Sequence, residues 1–485
     1  MTLVSQPDLQ LRAAAPPRRS SARRLLSLIV LGFVALSLLR FTFDAGDLTS
    51  SGAVRAALVL AIPIGLAGLG GLWSERAGIV NIGLEGMLIA GTIFGAWAGY
   101  QWGPWVGVLV GMAGGAVFGL VHAIATVSFA VDHIVSGVAI NILAVGVGGV
   151  MGQVFFGDIP GVSQRQSPRV PDAATFSIPG VSDALRAVED KGILILSDLA
   201  GVLGGLVTGT SVLTVLAVLL VPASYLVLWR TSFGLRLRSC GENPAAAESL
   251  GVNVYLTKYV AVIVSGGLAG LGGAYLVTVA SEGYLEGQTG GRGFIGLAAM
   301  IFGNWRPGGL AGGALLFGYA DALRLRGGAQ AVPALLVFVT VGMVLLAGRE
   351  LVRSARRRDG GFLARLAPSG LWIAGLLLFG LGLGLGVAMF DGWGTVAAVG
   401  LGIVGLLALG AIGIRLNRAI KGGNLTLYIV SSVVLIVWSA SGVGIPGQFV
   451  TYMAYIVTLL VLAFATQRLR MPAADGLPYR KGQGT

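Results

Sequence analysis

Residues 211–280 read SVLTVLAVLLVPASYLVLWRTSFGLRLRSCGENPAAAESLGVNVYLTKYVAVIVSGGLAGLGGAYLVTVA. The apolar runs 211–229 and 258–279 have the length a helix needs to cross roughly 30 Å of hydrocarbon. Between them, 230–253 is charged and rich in helix formers, so it lies at a membrane surface where a soluble partner can grip it.

The same alternation covers most of the chain. Its 485 residues are 55% hydrophobic and only 11% charged, with a mean hydropathy of +0.85. A soluble globule carries roughly 25% charge. Ten-residue alternating segments are absent, which favours helices over barrel strands. The expected fold is all-α, a polytopic transmembrane bundle of about 14 spans with broken helices near a pathway. Spans are expected near 25–43, 53–73, 78–99, 104–129, 134–156, 211–229 and 258–279. Further spans are expected near 293–304, 308–323, 331–348, 371–390, 394–415, 426–443 and 447–466, with 293–304 short enough to be half of a broken helix.

The net charge of +12 does not point to nucleic acid, because the arginines sit in short loops without an aromatic-interleaved basic face. The positive-inside rule explains them: the N-terminal arginines and those of 230–238, 349–358, 415–421 and 468–481 fall on one side, placing both termini in the cytoplasm. The apolar run after Arg23 and Arg24 is too long for a signal peptide and reads as an uncleaved first span. Loop 157–210 lies on the outer side, and its segment ILILSDLAGVLGGLV either lies along the membrane or dips into it. One cysteine, Cys240, excludes an intrachain disulfide, and with His122 and His133 it forms no metal-ligand spacing.

Polar groups inside a membrane are costly and mark pathways or helix ties. In ERAGIVNIGLEG, residues 75–86, Asn81 and Glu85 are expected one helical turn apart on one face. Either they follow a short cytoplasmic turn or the chain is broken near mid-membrane; they face a pathway or tie helix ends together. In DHIVSGVAINIL, residues 132–143, Ser136 and Asn141 recur on one face, and Asp132 suits the helix start. Around Asn304–Pro307 one continuous helix is forbidden, leaving a tight interhelical turn or a re-entrant break. Gly111, Gly115 and Gly119, and Gly266 and Gly270, are spaced for close helix packing.

No Walker A motif, HExxH motif, nucleophile elbow or paired-carboxylate constellation occurs, so ATP chemistry, if used, belongs to another chain. In 230–253, Asn243 can cap a helix, Pro244 suits its first position, AAAESL propagates it and Gly251 ends it.

SERAGIVNIGLEGMLIAG, IVSGVAINILAVG, SFGLRLRSCGENPAAAESLGVNV with SGGLAGLGGAYL, and AAMIFGNWRPGGLAGGALLFGYADALRLR together span 75–326. They resemble membrane permeases of ATP-binding cassette importers in the branched-chain amino acid and simple-sugar superfamily, most closely the nucleoside-uptake branch. The resemblance implies a transport subunit rather than an enzyme, with no cofactor of its own and with ATP and Mg held by a partner ATPase. It also implies a second permease subunit, commonly a paralogue, an extracytoplasmic binding protein and a plasma-membrane location. The ligand is a small polar molecule, nucleoside first and simple sugar as the alternative, against a less favoured ion-coupled carrier.

For such a ligand the candidate pathway residues are the polar groups Asn81, Glu85, Ser136 and Asn141. Gly241, Glu242, Asn243, Pro244, Ala246, Glu248 and Gly251 are the ATPase-coupling residues. The expected organisation is a basic tail 1–24, a permease core 25–326, an inserted membrane segment 327–440 of about four spans, a last core span 441–467 and a cytoplasmic tail 468–485.

Overall fold

The computed structural model describes residues 45–326 and 469–482 with most of 30–41, except 161 and 164. Its first long helix, α1 (Ser51–Arg76), starts where the Ser50 hydroxyl accepts the Ala53 N–H at 3.2 Å. The chain then runs without helix through 77–83 before α2 (Leu84–Trp102) begins. α3 (Pro104–Ala123) continues through a wide turn to Ser128. α4 (His133–Phe156) is capped by Asp132, whose carboxylate accepts the N–H groups of Ile134 and Val135.

The 157–210 loop folds into α5 (Val181–Glu189), α6 (Leu196–Val207) and a minimal hairpin of β1 (Thr175–Phe176) and β2 (Thr210–Ser211). The ILILSDLAGVLGGLV segment therefore contributes α6, which packs on the start of α1. Asp198 of α6 is fully buried, bonded by Thr49 and by Arg40 at 2.7 Å.

α7 (Val212–Arg230) leads into α8 (Ser232–Glu242) and α9 (Pro244–Ser249), after which α10 (Val254–Tyr275) runs on to Ala280. The described bundle closes with α11 (Arg292–Phe302) and α12 (Pro307–Leu325). Among the described residues, five helices are long and apolar enough to cross a membrane: α1, α3, α4, α7 and α10. In α1 and α10, 78% of the apolar window is buried, against 39% or less in the other three, so these two form the centre.

The expected total of fourteen spans is not reached among the described residues. The spans expected over 331–466, with the insertion 327–440 and the last core span 441–467, lie outside them. The span expected at 78–99 is corrected, since its helix begins at Leu84. Gly78, at a φ of +84°, turns the chain out of α1, a conformation that favours glycine.

Glycine spacing sets how tightly α10 and α3 pack. A Cβ on Gly270 would lie 2.5 Å from the Gly111 carbonyl oxygen, and one on Gly115 would lie 2.6 Å from Gly270 Cα. These glycines therefore serve contact within one bundle, as small residues do where membrane helices touch.

Candidate functional site

The break at 77–83 places polar groups deep in the bundle. Asn81 Nδ2 donates to Ser265 Oγ at 2.9 Å, and Ser265 stands eleven residues into α10, about 16 Å from its start at 1.5 Å per residue. Asn81 and Glu85 do not share a helix face, because Asn81 precedes α2 in non-helical backbone while Glu85 lies in its first turn. The helical period assumed for them fails because the helix begins only at Leu84.

Glu85 receives the start of a second helix. Its carboxylate accepts the Gly291 N–H at 3.0 Å and the Gly293 N–H at 2.7 Å, so the N-termini of α2 and α11 converge on one acid. First-turn N–H groups lack partners within their own helix, and both helix dipoles favour negative charge there. α11 has eleven residues and spans roughly 16 Å, about half the hydrocarbon thickness. It is the half-helix that its length suggested. The Asn304–Pro307 segment is a tight interhelical turn, with Asn304 and Trp305 both left-handed at φ of +53° and +51°.

Asn141 performs the same service for α2: its Oδ1 accepts the Gly86 N–H at 2.7 Å and its Nδ2 donates to the Ile82 carbonyl at 3.1 Å. Ser136 lies 2.8 Å from His122 Nδ1, and His122 Nε2 lies 3.2 Å from the Val80 carbonyl. The Val80 N–H reaches His133 Nδ1 at 3.3 Å. Two imidazoles thus satisfy both backbone groups of Val80, with Nε2 of His122 carrying a proton and Nδ1 of His133 accepting one. Membrane backbone can leave the helix only where such partners exist.

Further along the same helices, Ile89 and Thr92 on α2 and Val145 and Gly148 on α4 line a cavity of about 140 Å³. The loop from Tyr284 to Thr289 closes it.

The second locus is the far end of α1. Asn243 Oδ1 accepts the Ala246 N–H at 2.9 Å, Pro244 occupies the first position of α9, and Gly251 turns the chain at a φ of +80°. Gly241 packs so closely on the end of α1 that an added Cβ would meet the Arg76 carbonyl and lie 3.1 Å from the Gly78 nitrogen. Arg76 approaches Glu242 at 4.0 Å and donates to the Trp305 carbonyl at 2.7 Å, while Trp305 Nε1 donates to Glu75 at 2.6 Å.

The C-terminal residues 469–482 bind here, which sequence reading missed. Arg470 N–H donates to Asn304 Oδ1 at 2.7 Å, Ala473 N–H to Glu242 at 3.3 Å and Ala474 N–H to the Gly241 carbonyl at 2.8 Å. The Tyr479 hydroxyl bonds Glu248, and its ring lies 5.7 Å from Lys258 Nζ and 5.8 Å from the Tyr255 ring. Asp475 is buried.

Burial pushes the Asp475 carboxyl up to about 7, although the facing Glu75, Lys258 and Arg76 pull the other way. An acid raised in the docked state holds its proton there but loses it when free, so docking is strongest below about 4 and weakens as pH rises through about 7. Hydrogen exchange of the Ala474 amide should show a higher protection factor at pH 5.5 than at pH 8.5; equal protection at the two pH values would contradict this.

Comparison with known proteins gives the family. The model for "Branched-chain amino acid transport system / permease component" matches residues 54–348. The chain belongs to this family. It is 40% identical over 282 residues to the guanosine ABC transporter permease protein NupQ of Bacillus subtilis (strain 168), covering 56% of this chain and 82% of that one. It is 37% identical to the nucleoside ABC transporter permease protein NupC of Lactococcus lactis subsp. cremoris (strain MG1363), covering 56% and 81%. It is also 37% identical to the putative glucose ABC transporter permease protein TsgC13 of Haloferax volcanii, covering 59% and 78%. No solved structure matches the chain. As a family member with several apolar helices, the chain is a multi-pass membrane protein and a transport subunit.

Proposed function

We propose that this permease is the membrane subunit of an ATP-binding cassette importer for nucleosides, coupled through α8 and α9 to a separate cytosolic ATPase. The observation that carries the substrate is the pair of nucleoside-type relatives, matched over 82% and 81% of their own lengths. A second permease subunit and an extracytoplasmic binding protein complete the transporter, and both termini face the cytoplasm. The ATP and Mg sit in the partner chain.

The substrate pathway runs beside the 77–83 break. Asn81, Glu85, Ser136 and Asn141 act by holding its wall, since each already engages protein partners. Polar groups that could meet a polar ligand line the cavity nearby, Thr92 from α2 and Tyr284, Glu286, Gln288 and Thr289 from the loop, beside the apolar Ile89 and Val145.

The test is uptake of radiolabelled guanosine by the complete transporter in proteoliposomes containing ATP. Saturable uptake should be displaced by unlabelled nucleosides and left intact by excess glucose. Glucose accumulation without nucleoside competition would transfer the assignment to sugars, and uptake that persists without ATP would end the importer reading.

A further inference from the structure

We infer that the C-terminal segment 470–481 is a latch that carries movement of the α8–α9 region into the membrane break at 77–83. The inference rests on the proposed coupling role of α9 and adds the element that transmits its motion. Helix α9 has six residues, too few to be stable alone in water, so the force it can pass on depends on what holds it. One face is held by Ala247, buried in an apolar cluster with Cys240 and Val254 against Tyr479 of the tail. The tail also grips α9 through the Tyr479 hydroxyl and Glu248.

From that grip the tail reaches the break. An added Cβ on Gly78 would lie 3.2 Å from the Ala474 carbonyl oxygen, and one on Gly476 would lie 3.4 Å from Val80 Cγ2. Val80 is the residue whose backbone the two histidines hold. The tail therefore touches α9 at one end and both sides of the break's first turn at the other. Arg470 adds a tie to the α11–α12 turn through Asn304.

Asp475 is the anchor of the latch. Its side chain is only 8% exposed, among Glu75 of α1, Arg76 and Lys258 of α10, and Lys258 is 1% exposed. Neither the Asp475 oxygens nor Lys258 Nζ has a hydrogen-bond partner among the described residues. Asp475 thus sits buried where the end of α1 meets α10, so tail docking is tied to the seating of one helix against the other. A passive surface strap would place no carboxylate there.

The transporter is tested complete, with its ATPase and binding protein, in proteoliposomes with guanosine as the probe. Ending the chain after Met471, or Tyr479→Ala where the shortened chain fails to insert, should lower guanosine transported per ATP hydrolysed by about tenfold, one coupling step of ordinary size. The ATPase should still co-purify, because α9 remains. In a Cys240→Ala background, Glu248→Cys with Tyr479→Cys should be impaired as thiols. A short bifunctional thiol reagent bridging the two should restore transport.

Unchanged transport per ATP in the shortened chain and in Tyr479→Ala overturns the latch. So does a bridged pair that stops transport until the bridge is cleaved, since the tail would then have to undock in each cycle. Failure of the coupling role itself reads differently: Ala246→Pro would leave transport per ATP intact whatever the state of the tail.

Discussion

Ala246→Pro should abolish ATP-coupled uptake while the protein still inserts in the membrane. The Ala246 N–H is the donor that Asn243 Oδ1 caps, at 2.9 Å, and proline has no such donor. Its ring also biases Ala245 away from helical backbone, inside a helix only six residues long. Losing the cap costs about 1 kcal/mol, roughly a fivefold drop in occupancy of the folded α9, and the bias on Ala245 adds to it. Nothing local can absorb that loss, because a helix this short has no interior to renucleate from. The measurement is guanosine uptake and ATP hydrolysis in the same proteoliposomes. Hydrolysis should lose its response to loaded binding protein, and uptake should fall to background. Wild-type uptake per ATP in this variant would remove α9 from the coupling path.

What could be read in the sequence was local. Apolar runs located α1, α3, α4, α7 and α10 within a few residues, because spanning length and hydropathy are properties of contiguous chain. The α9 region was legible for the same reason: Asn243, Pro244 and Gly251 act on their own neighbours. Asn81 and Glu85 were misplaced relative to each other because a helical period was carried across 81–83, where the backbone is not yet helical. The roles of His122 and His133 depend on where Val80 sits, and no spacing in their own segments announces it. The tail was least legible. Asp475 and Glu75 are four hundred residues apart, and Tyr479 meets Glu248 across 231. One available signal was compositional: a lysine at the head of an apolar run, Lys258, calls for polar or aromatic company from elsewhere in the chain, which the Tyr479 ring supplies.

Glu85 separates a pathway residue from a structural one. If its carboxylate chiefly serves the converging helix starts, Glu85→Ala strands the N–H groups of Gly291 and Gly293, each costing about 1–3 kcal/mol where water cannot replace the acceptor. The loss cannot be repaired by a shift of α11, because Gly293 already packs against the Glu85 backbone; an added Cβ would lie 2.6 Å from Glu85 Cα. Glu85→Gln keeps one acceptor and turns its amide NH2 toward the other N–H, so its loss should be intermediate. Thermal midpoints in lipid nanodiscs should therefore fall in the order wild type, Glu85→Gln, Glu85→Ala, with uptake falling in parallel. A carboxylate that instead contacts ligand would leave the midpoint of Glu85→Ala at the wild-type value while uptake disappears. The parallel fall is the expected result, since both carboxylate oxygens already accept backbone donors from the start of α11.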